Sequence, residues 1–317
     1  MSDNSNPNQS TIAVLAGGPS AEREVSLKSG AAVAAALRAG GYTVREIDPK
    51  FTDVAKFDWR GINVAFLALH GEFGEDGTVQ ELLDKLGVPY TGSGANASRI
   101  AFSKLAAKQR FVQNGVSTPP WLVVESTLSP GQCAAQARRL GFPLVVKPDQ
   151  QGSSLGVTIV RDEEQLGGAL EIAFGYGRVV VLEQAIDGAE WTVGLLDSHP
   201  LPPIRIGTDH TFFDYDAKYH ADDTRYQFDD DGSGVAAMVS RVARDACAAV
   251  GTKGVARVDV MVDRLSRPLV LEVNTIPGFT DHSLVPKAAA HAGMKFVELC
   301  EWCVTSALAR DKGRRAA

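Results

Sequence analysis

With four cysteines in 317 residues, the chain is too poor in thiols, and spaces them too widely, for a disulfide scaffold. Cys300 and Cys303 form a CxxC, but it lies in "VELCEWCVTSAL", which has helical periodicity, and no second ligand pair accompanies it. The pair therefore reads as a helix face rather than a redox or zinc site. Long apolar runs are missing too; none approaches the ~18–20 residues that span a bilayer. There is no basic excess, since the formal net charge is −6 and the pI about 5.6, so nothing in the charge argues for a nucleic-acid or membrane partner. "MSDNSNPNQS" (1–10) has neither a basic nor an apolar segment and reads as a disordered tail, not a signal peptide. The GxxxxGK[ST] spacing of a Walker A loop is absent, and Gly17-Gly18 does not extend to GxGxxG. No Ser-His-Asp or Cys-His order stands out near a nucleophile turn. Repeats and low-complexity tracts are absent as well. A cytoplasmic globular protein is what remains.

The composition, 44% hydrophobic and 22% charged, is that of a folded chain, and the length suggests two or three domains. "TIAVLAGG" (11–18) reads as a buried strand. A helix follows, with Ser20 its expected N-cap and Glu22 and Glu24 in its first turn. "YTVREID" and "NVAFLALH" are further strands, and the alternation predicts a parallel α/β sheet over residues 11–95. "ASRIAFSKLAAKQRFVQNG" reads as one long helical stretch. The strands "FPLVVKP" and "RVVVLEQAI" then suggest a small central domain, 96–186. A third part, 187–317, runs from "EWTVGLL" to helices near 284–310 and a frayed basic end, "RDKGRRAA". Between them "TFFDYDAKYHADDTRYQF" has no periodicity and reads as a long loop of the kind that forms lids.

Chemistry collects in the third part. In "RVDVMVD", Val258, Val260 and Val262 share one strand face, and Arg257, Asp259 and Met261 the other. The next strand, "LEVNTIPG", presents Glu272 and Asn274 on one face. Two antiparallel strands joined by "DRLSRP" can bring Asp259, Glu272 and Asn274 together as an all-oxygen set that suits Mg²⁺. The competing reading is a structural ion pair with Arg257. "VVKPDQQGSSLGV" adds Lys147 at a strand end and a loop with Gly152, Ser153, Ser154 and Gly156, whose N–H groups and hydroxyls can wrap phosphates. Lys104, on a helix, reads by itself as a solvated lysine.

"LAGGPSAEREVSLKSG", "LALHGEFGEDGTVQ", "PYTGSGANAS", "VVKPDQQGSSLGV", "DYDAKYHADDT", "ARVDVMVD" and "LEVNTIPGFTDHSLVP" stand in the order seen in D-alanine–D-alanine ligases, of the ATP-grasp superfamily. The resemblance covers about residues 11 to 305. It implies an N-terminal Rossmann-like α/β domain followed by a two-part ATP-grasp fold, with the active site between domains. It also implies ATP-dependent formation of D-alanyl-D-alanine through an acyl phosphate. Asp259, Glu272 and Asn274 match the family's Mg²⁺ ligands (two ions, with Mn²⁺ able to substitute), and the family leaves room for a monovalent cation. Lys104 and Lys147 match lysines on the ATP phosphates, with Ser153 and Ser154 in the phosphate loop. Glu183 matches the adenine segment and Glu190 the ribose carboxylate. Glu22 matches the group that binds the first D-alanine's ammonium, and His70 a residue of that subsite. Lys218 and Tyr219 match lid residues linked to Ser153 and Glu22. Arg257 and the Gly278 N–H resemble the oxyanion donors, and Ser283 and Leu284 the second D-alanine's pocket. A tyrosine at position 219 goes with D-alanine rather than D-lactate as second substrate. The family also implies a homodimer. Ligases of other specificity remain the alternative. A catalytically dead relative is disfavoured, because every metal ligand, lysine and arginine of the pattern is present.

Overall fold

Continuous apolar strands bury both faces, and alternating ones bury a single face. The chain uses both kinds. The computed structural model describes residues 10–207, 225–228, 234–280 and 282–316. The expected tail therefore lies, apart from Ser10, outside the described residues. Strands β1 (Thr11–Leu15), β2 (Thr43–Ile47) and β3 (Val64–Leu67) form a parallel sheet of order β2-β1-β3. Every residue of β3, and all but the first of β1, is buried. Helices α1 (Arg23–Ala39) and α2 (Thr78–Leu86) accompany this sheet. Helix α1 starts later than expected. Its N-cap is Glu22, not Ser20; Ser20 instead accepts from the Glu22 and Arg23 N–H groups just before the helix begins.

The single helix expected from residue 97 onward is two, α3 (Ala95–Phe102) and α4 (Lys104–Gln113). Ser103 separates them with an extended backbone, and its Oγ accepts from Ala106 N and donates to the Asp149 carboxylate. An N-cap thus wins over continued helix. The small antiparallel sheet has order β4-β7-β5-β6, from β4 (Trp121–Glu125), β5 (Leu144–Pro148), β6 (Thr158–Val160) and β7 (Val179–Gln184). Helix α5 (Pro130–Leu140), held by a Ser129/Gln132 capping box, and α6 (Leu166–Phe174) complete its core with Leu144, Val146 and Leu182.

The large antiparallel sheet runs β11-β10-β8-β12-β13, with the short β9 (His199–Pro200) on β8. Its strands are β8 (Gly188–Leu196), β10 (Ile204–Gly207), β11 (Arg225–Phe228), β12 (Val255–Asp263) and β13 (Pro268–Asn274). Residues 225–228, expected in the long loop, are therefore strand. On one face, α3, α4 and α7 (Val235–Val250) pack Ala101, Phe111, Val239 and Ala246 against Val258, Val260 and Val273. On the other side, α8 (Leu284–His291) and α9 (Phe296–Ala316) join Leu196 and Ile204 to Val14, Val33 and Phe66 in one continuous core. Cys300 and Cys303 are buried in that core, and burial pushes the Cys300 thiol up to about 12. Helix α9 runs on to Ala316, so the basic end expected to fray is helical.

Candidate active site

Asp259 sits directly opposite Glu272, and Arg257 opposite Asn274, across the β12–β13 pair. Simple alternation would put Val270, Glu272 and Asn274 on the same face. The register slips at Leu271, so Val270 pairs with Val260 in the core while Glu272 and Asn274 face the pocket. The bulge lets this strand be apolar on one side and present ligating groups on the other.

Two carboxylates placed face to face repel each other, and cations stand beside both. Arg257 grips Asp259 in two places, Nε to Oδ1 at 2.9 Å and Nη2 to Oδ2 at 2.8 Å. Thr192 Oγ1 adds a 2.7 Å bond to Oδ1. Lys104 Nζ lies 3.8 Å from Glu272 and donates to the Gln151 carbonyl at 2.6 Å. Far from being a solvated lysine, Lys104 is buried and ties α4 to the 149–152 loop and to β13. Among the described residues no group of three or more His, Cys, Asp or Glu side chains could hold a metal ion. The donor set here is two carboxylates and an amide oxygen, and their opposed placement on a half-open face fits a hard divalent cation.

The same cavity, about 650 Å³, is lined by Glu22, His70, Glu75, Ser153, Gly278 and Ser283 as well as by Arg257, Asp259, Glu272 and Asn274. Glu22 stands at the N-terminus of α1, where the helix dipole favours its ionised form. Ser153 Oγ donates to Glu22 Oε1, joining the loop that follows β5 to α1. A Cβ on Gly152 would lie 2.7 Å from the Glu22 carboxylate, so a larger residue there would push that carboxylate aside. Ser153 and Ser154 both hold left-handed backbone, at φ 48° and 56°, a strained conformation for non-glycine residues that places consecutive N–H groups in a loop.

His70 is buried, and its Nε2 is 3.3 Å from Ser29 Oγ, which also accepts from the Phe279 N–H. Burial first, and the Arg257 charge second, push His70 down to about 4, so it is neutral at pH 7. Glu75 accepts from Gly71 N–H at 2.7 Å, and burial together with the charge of Glu22 holds it well above the usual carboxylate range. Ser283 caps α8, which opens at Leu284, and its Oγ accepts from Thr280 N at 3.0 Å. Lys147 and Glu183, on neighbouring strands, meet at 2.6 Å, and Glu190 lies half-buried on β8. Lys218 and Tyr219 lie outside the described residues.

The chain matches the model of the D-alanine–D-alanine ligase C-terminus over residues 111–305 and of its N-terminus over residues 45–93. It is 50% identical over 290 residues to a D-alanine–D-alanine ligase of Stutzerimonas stutzeri, covering 91% of each chain. It belongs to the D-alanine–D-alanine ligase family. Among solved structures it resembles the Bacillus anthracis ligase complexed with ATP, with TM-score 0.85, 33% identity, and 96% and 99% of the two chains covered. A D-Ala:D-Ser ligase of Enterococcus faecalis is similar at TM-score 0.82 and 25% identity, over 94% of this chain and 99% of that one. The fold is thus the family's ATP-grasp architecture. The sequence did not single out two residues that the structure makes prominent: Glu75 lines this cavity, and Lys108 is buried against Glu183 outside it. Glu75 follows His70 by five positions, and Lys108 lies one helical turn after Lys104. That i, i+4 spacing was the available signal.

Proposed function

We propose that this member of the family joins two D-alanine molecules at the expense of ATP, forming D-alanyl-D-alanine, ADP and phosphate through a D-alanyl phosphate, to supply peptidoglycan precursors. The observation that carries this reading is one cavity in which the opposed Asp259–Glu272 pair meets the Glu22–Ser153 contact. The first grouping suits a metal–phosphate ligand, and the second suits an ammonium group.

Glu22, at the N-terminus of α1, receives the first D-alanine's ammonium. Lys104, Lys147 and the N–H groups around Ser153 and Ser154 hold the ATP phosphates. Glu183 accepts from the adenine amine and Glu190 from the ribose hydroxyls. Asp259, Glu272 and Asn274 would hold Mg²⁺, which would supply positive charge to offset the charge developing on phosphoryl transfer. Attack by the second D-alanine's amine on the acyl phosphate makes a tetrahedral oxyanion, met by Arg257 and the Gly278 N–H. Ser283 and Leu284 open α8, and the start of that helix receives the second substrate's carboxylate. His70, neutral and hydrogen-bonded to Ser29, shapes the first subsite and carries no charge there. Lys218 acts on the ATP phosphates, and Tyr219 directs the choice toward D-alanine. The homodimer and the cytoplasmic location are part of the same reading.

The test is to incubate the purified chain with ATP, Mg²⁺ and D-alanine while measuring phosphate and dipeptide together. Phosphate that requires D-alanine, matched by equal D-alanyl-D-alanine, supports the proposal. Phosphate without dipeptide points to another second substrate, such as D-serine or D-lactate. No phosphate at all sinks the ligase activity.

A further inference from the structure

Lys108 has no part in the roles above, yet its side chain is 1% exposed. An ammonium so deep in a protein is costly unless it is paired and hydrogen-bonded. Lys108 has both kinds of partner. Its Nζ contacts Glu183 Oε2 and donates to Thr118 Oγ1 at 2.7 Å. Thr118 in turn donates to the Val270 carbonyl at 2.7 Å, on the strand that carries Glu272 and Asn274. The other oxygen of Glu183 takes Lys147 at 2.6 Å.

One buried carboxylate therefore holds two ammonium groups, and the two are not equivalent. Lys108 is anchored from α4 to Thr118, with almost no exposure. Lys147 is 11% exposed and sits at the end of β5, before the phosphate loop. If Lys147 were the sole partner, its turn toward ATP phosphates would strand Glu183 as an uncompensated buried charge. With Lys108 in place, Glu183 keeps a fixed countercharge on Oε2 while Oε1 becomes available to a ligand.

We propose that Lys108 is a positioning residue for base recognition: it holds Glu183 as a pure acceptor aimed at the exocyclic amine of adenine, and so sets the preference for a 6-amino over a 6-oxo purine triphosphate. The proposal rests on the reading that Glu183 faces adenine. A 6-oxo base would set its carbonyl oxygen against the carboxylate, lone pair to lone pair, and leave a buried acceptor unpaired.

The experiment measures kcat and KM for ATP and for inosine triphosphate, with D-alanine and Mg²⁺ saturating. The proteins are the full chain and its Lys108→Met, Lys108→Arg and Glu183→Gln variants. Lys108→Met is expected to raise the KM for ATP about tenfold with kcat within about twofold, and to lower the ATP-to-inosine selectivity in kcat/KM about tenfold. Lys108→Arg restores the selectivity. A structural role alone would alter stability and leave that ratio unmoved. If Glu183→Gln loses selectivity and Lys108→Met keeps it, the role of Lys108 is overturned while the adenine reading stands. If Glu183→Gln keeps the wild-type ratio, the adenine reading falls and the proposal falls with it. Should Lys108→Met fail to fold, Thr118→Val, which removes the anchor and leaves the charges, reads the same ratio. A lowered ratio there supports the proposal, and an unchanged one overturns it.

Discussion

The cluster around Glu183 and the pair formed by Asp259 and Glu272 handle charge in opposite ways. Glu183 is 2% exposed and lies between Lys108 and Lys147, so its charge is answered from within the fold. Glu272 is 30% exposed on a strand face that opens into the cavity, with Asp259 directly opposite and Lys104 only at 3.8 Å. The first cluster spans α4, β5 and β7 and holds them in one geometry. The second, with Arg257 on Asp259 and Lys104 near Glu272, lines an open cavity from which a hard cation can reach both carboxylates. Buried pairs of the first kind are expensive to break, whereas the half-open Lys104–Glu272 contact of the second contributes little to stability.

The largest effect expected from this contrast is on activity at the open pair. Asp259→Ala or Glu272→Ala should lower both ATP turnover and ligation by at least about ten-thousandfold. Glu272→Ala should at the same time change unfolding free energy by less than about 1 kcal/mol, since it relieves a like-charge contact. Turnover retained at saturating Mg²⁺ would remove these residues from the metal site. Next comes stability at the closed cluster. Glu183→Ala leaves two ammonium groups buried without their carboxylate and should cost about 3–5 kcal/mol in urea denaturation. A loss under about 1 kcal/mol would erase the distinction between the clusters.

The third prediction concerns His70, which borders the open side. Its folded value near 4 lies below the usual histidine value of 6.5, so the unfolded chain binds the extra proton first. The stability it contributes is full above pH 6.5 and is lost as pH falls toward 4, on the order of 3 kcal/mol in all. Urea midpoints of the protein and of a His70→Gln variant, compared from pH 7 to pH 4, should converge as the pH drops. Parallel curves would show that His70 does not titrate in that window. Smaller still is the change expected at position 219, which lies outside the described residues. Tyr219→Phe should raise the use of D-lactate relative to D-alanine, read from the products of competing substrates. An unchanged product ratio would separate Tyr219 from second-substrate choice.

Much of the site was legible before any coordinates. The valines at 258, 260 and 262 announced a core face, and their alternation left Arg257 and Asp259 on the other. Lys147 came from its strand end and Arg257 from its strand face, while the ordered motifs brought in the roles of Glu22 and Ser283. Legibility ended where a role depends on partners distant in sequence. Lys104 looked solvated because nothing near it shows that Gln151 and Glu272 come to meet it. Glu75 was not singled out, because nothing near it in sequence shows that it is buried beside Glu22.

By itself, then, the sequence determined the kinds of strand, the order of the motifs, the family and the ligand types at the paired strands. Those follow from local periodicity and side-chain chemistry. Only the tertiary structure decided that the chain breaks its helix at Ser103, that Leu271 bulges so Val270 and Glu272 face opposite ways, and that Lys108 is buried against Glu183. Each of these balances a local preference against desolvation and pairing across more than fifteen sequence positions or between adjacent strands. Such a balance is settled only when the partners are in place.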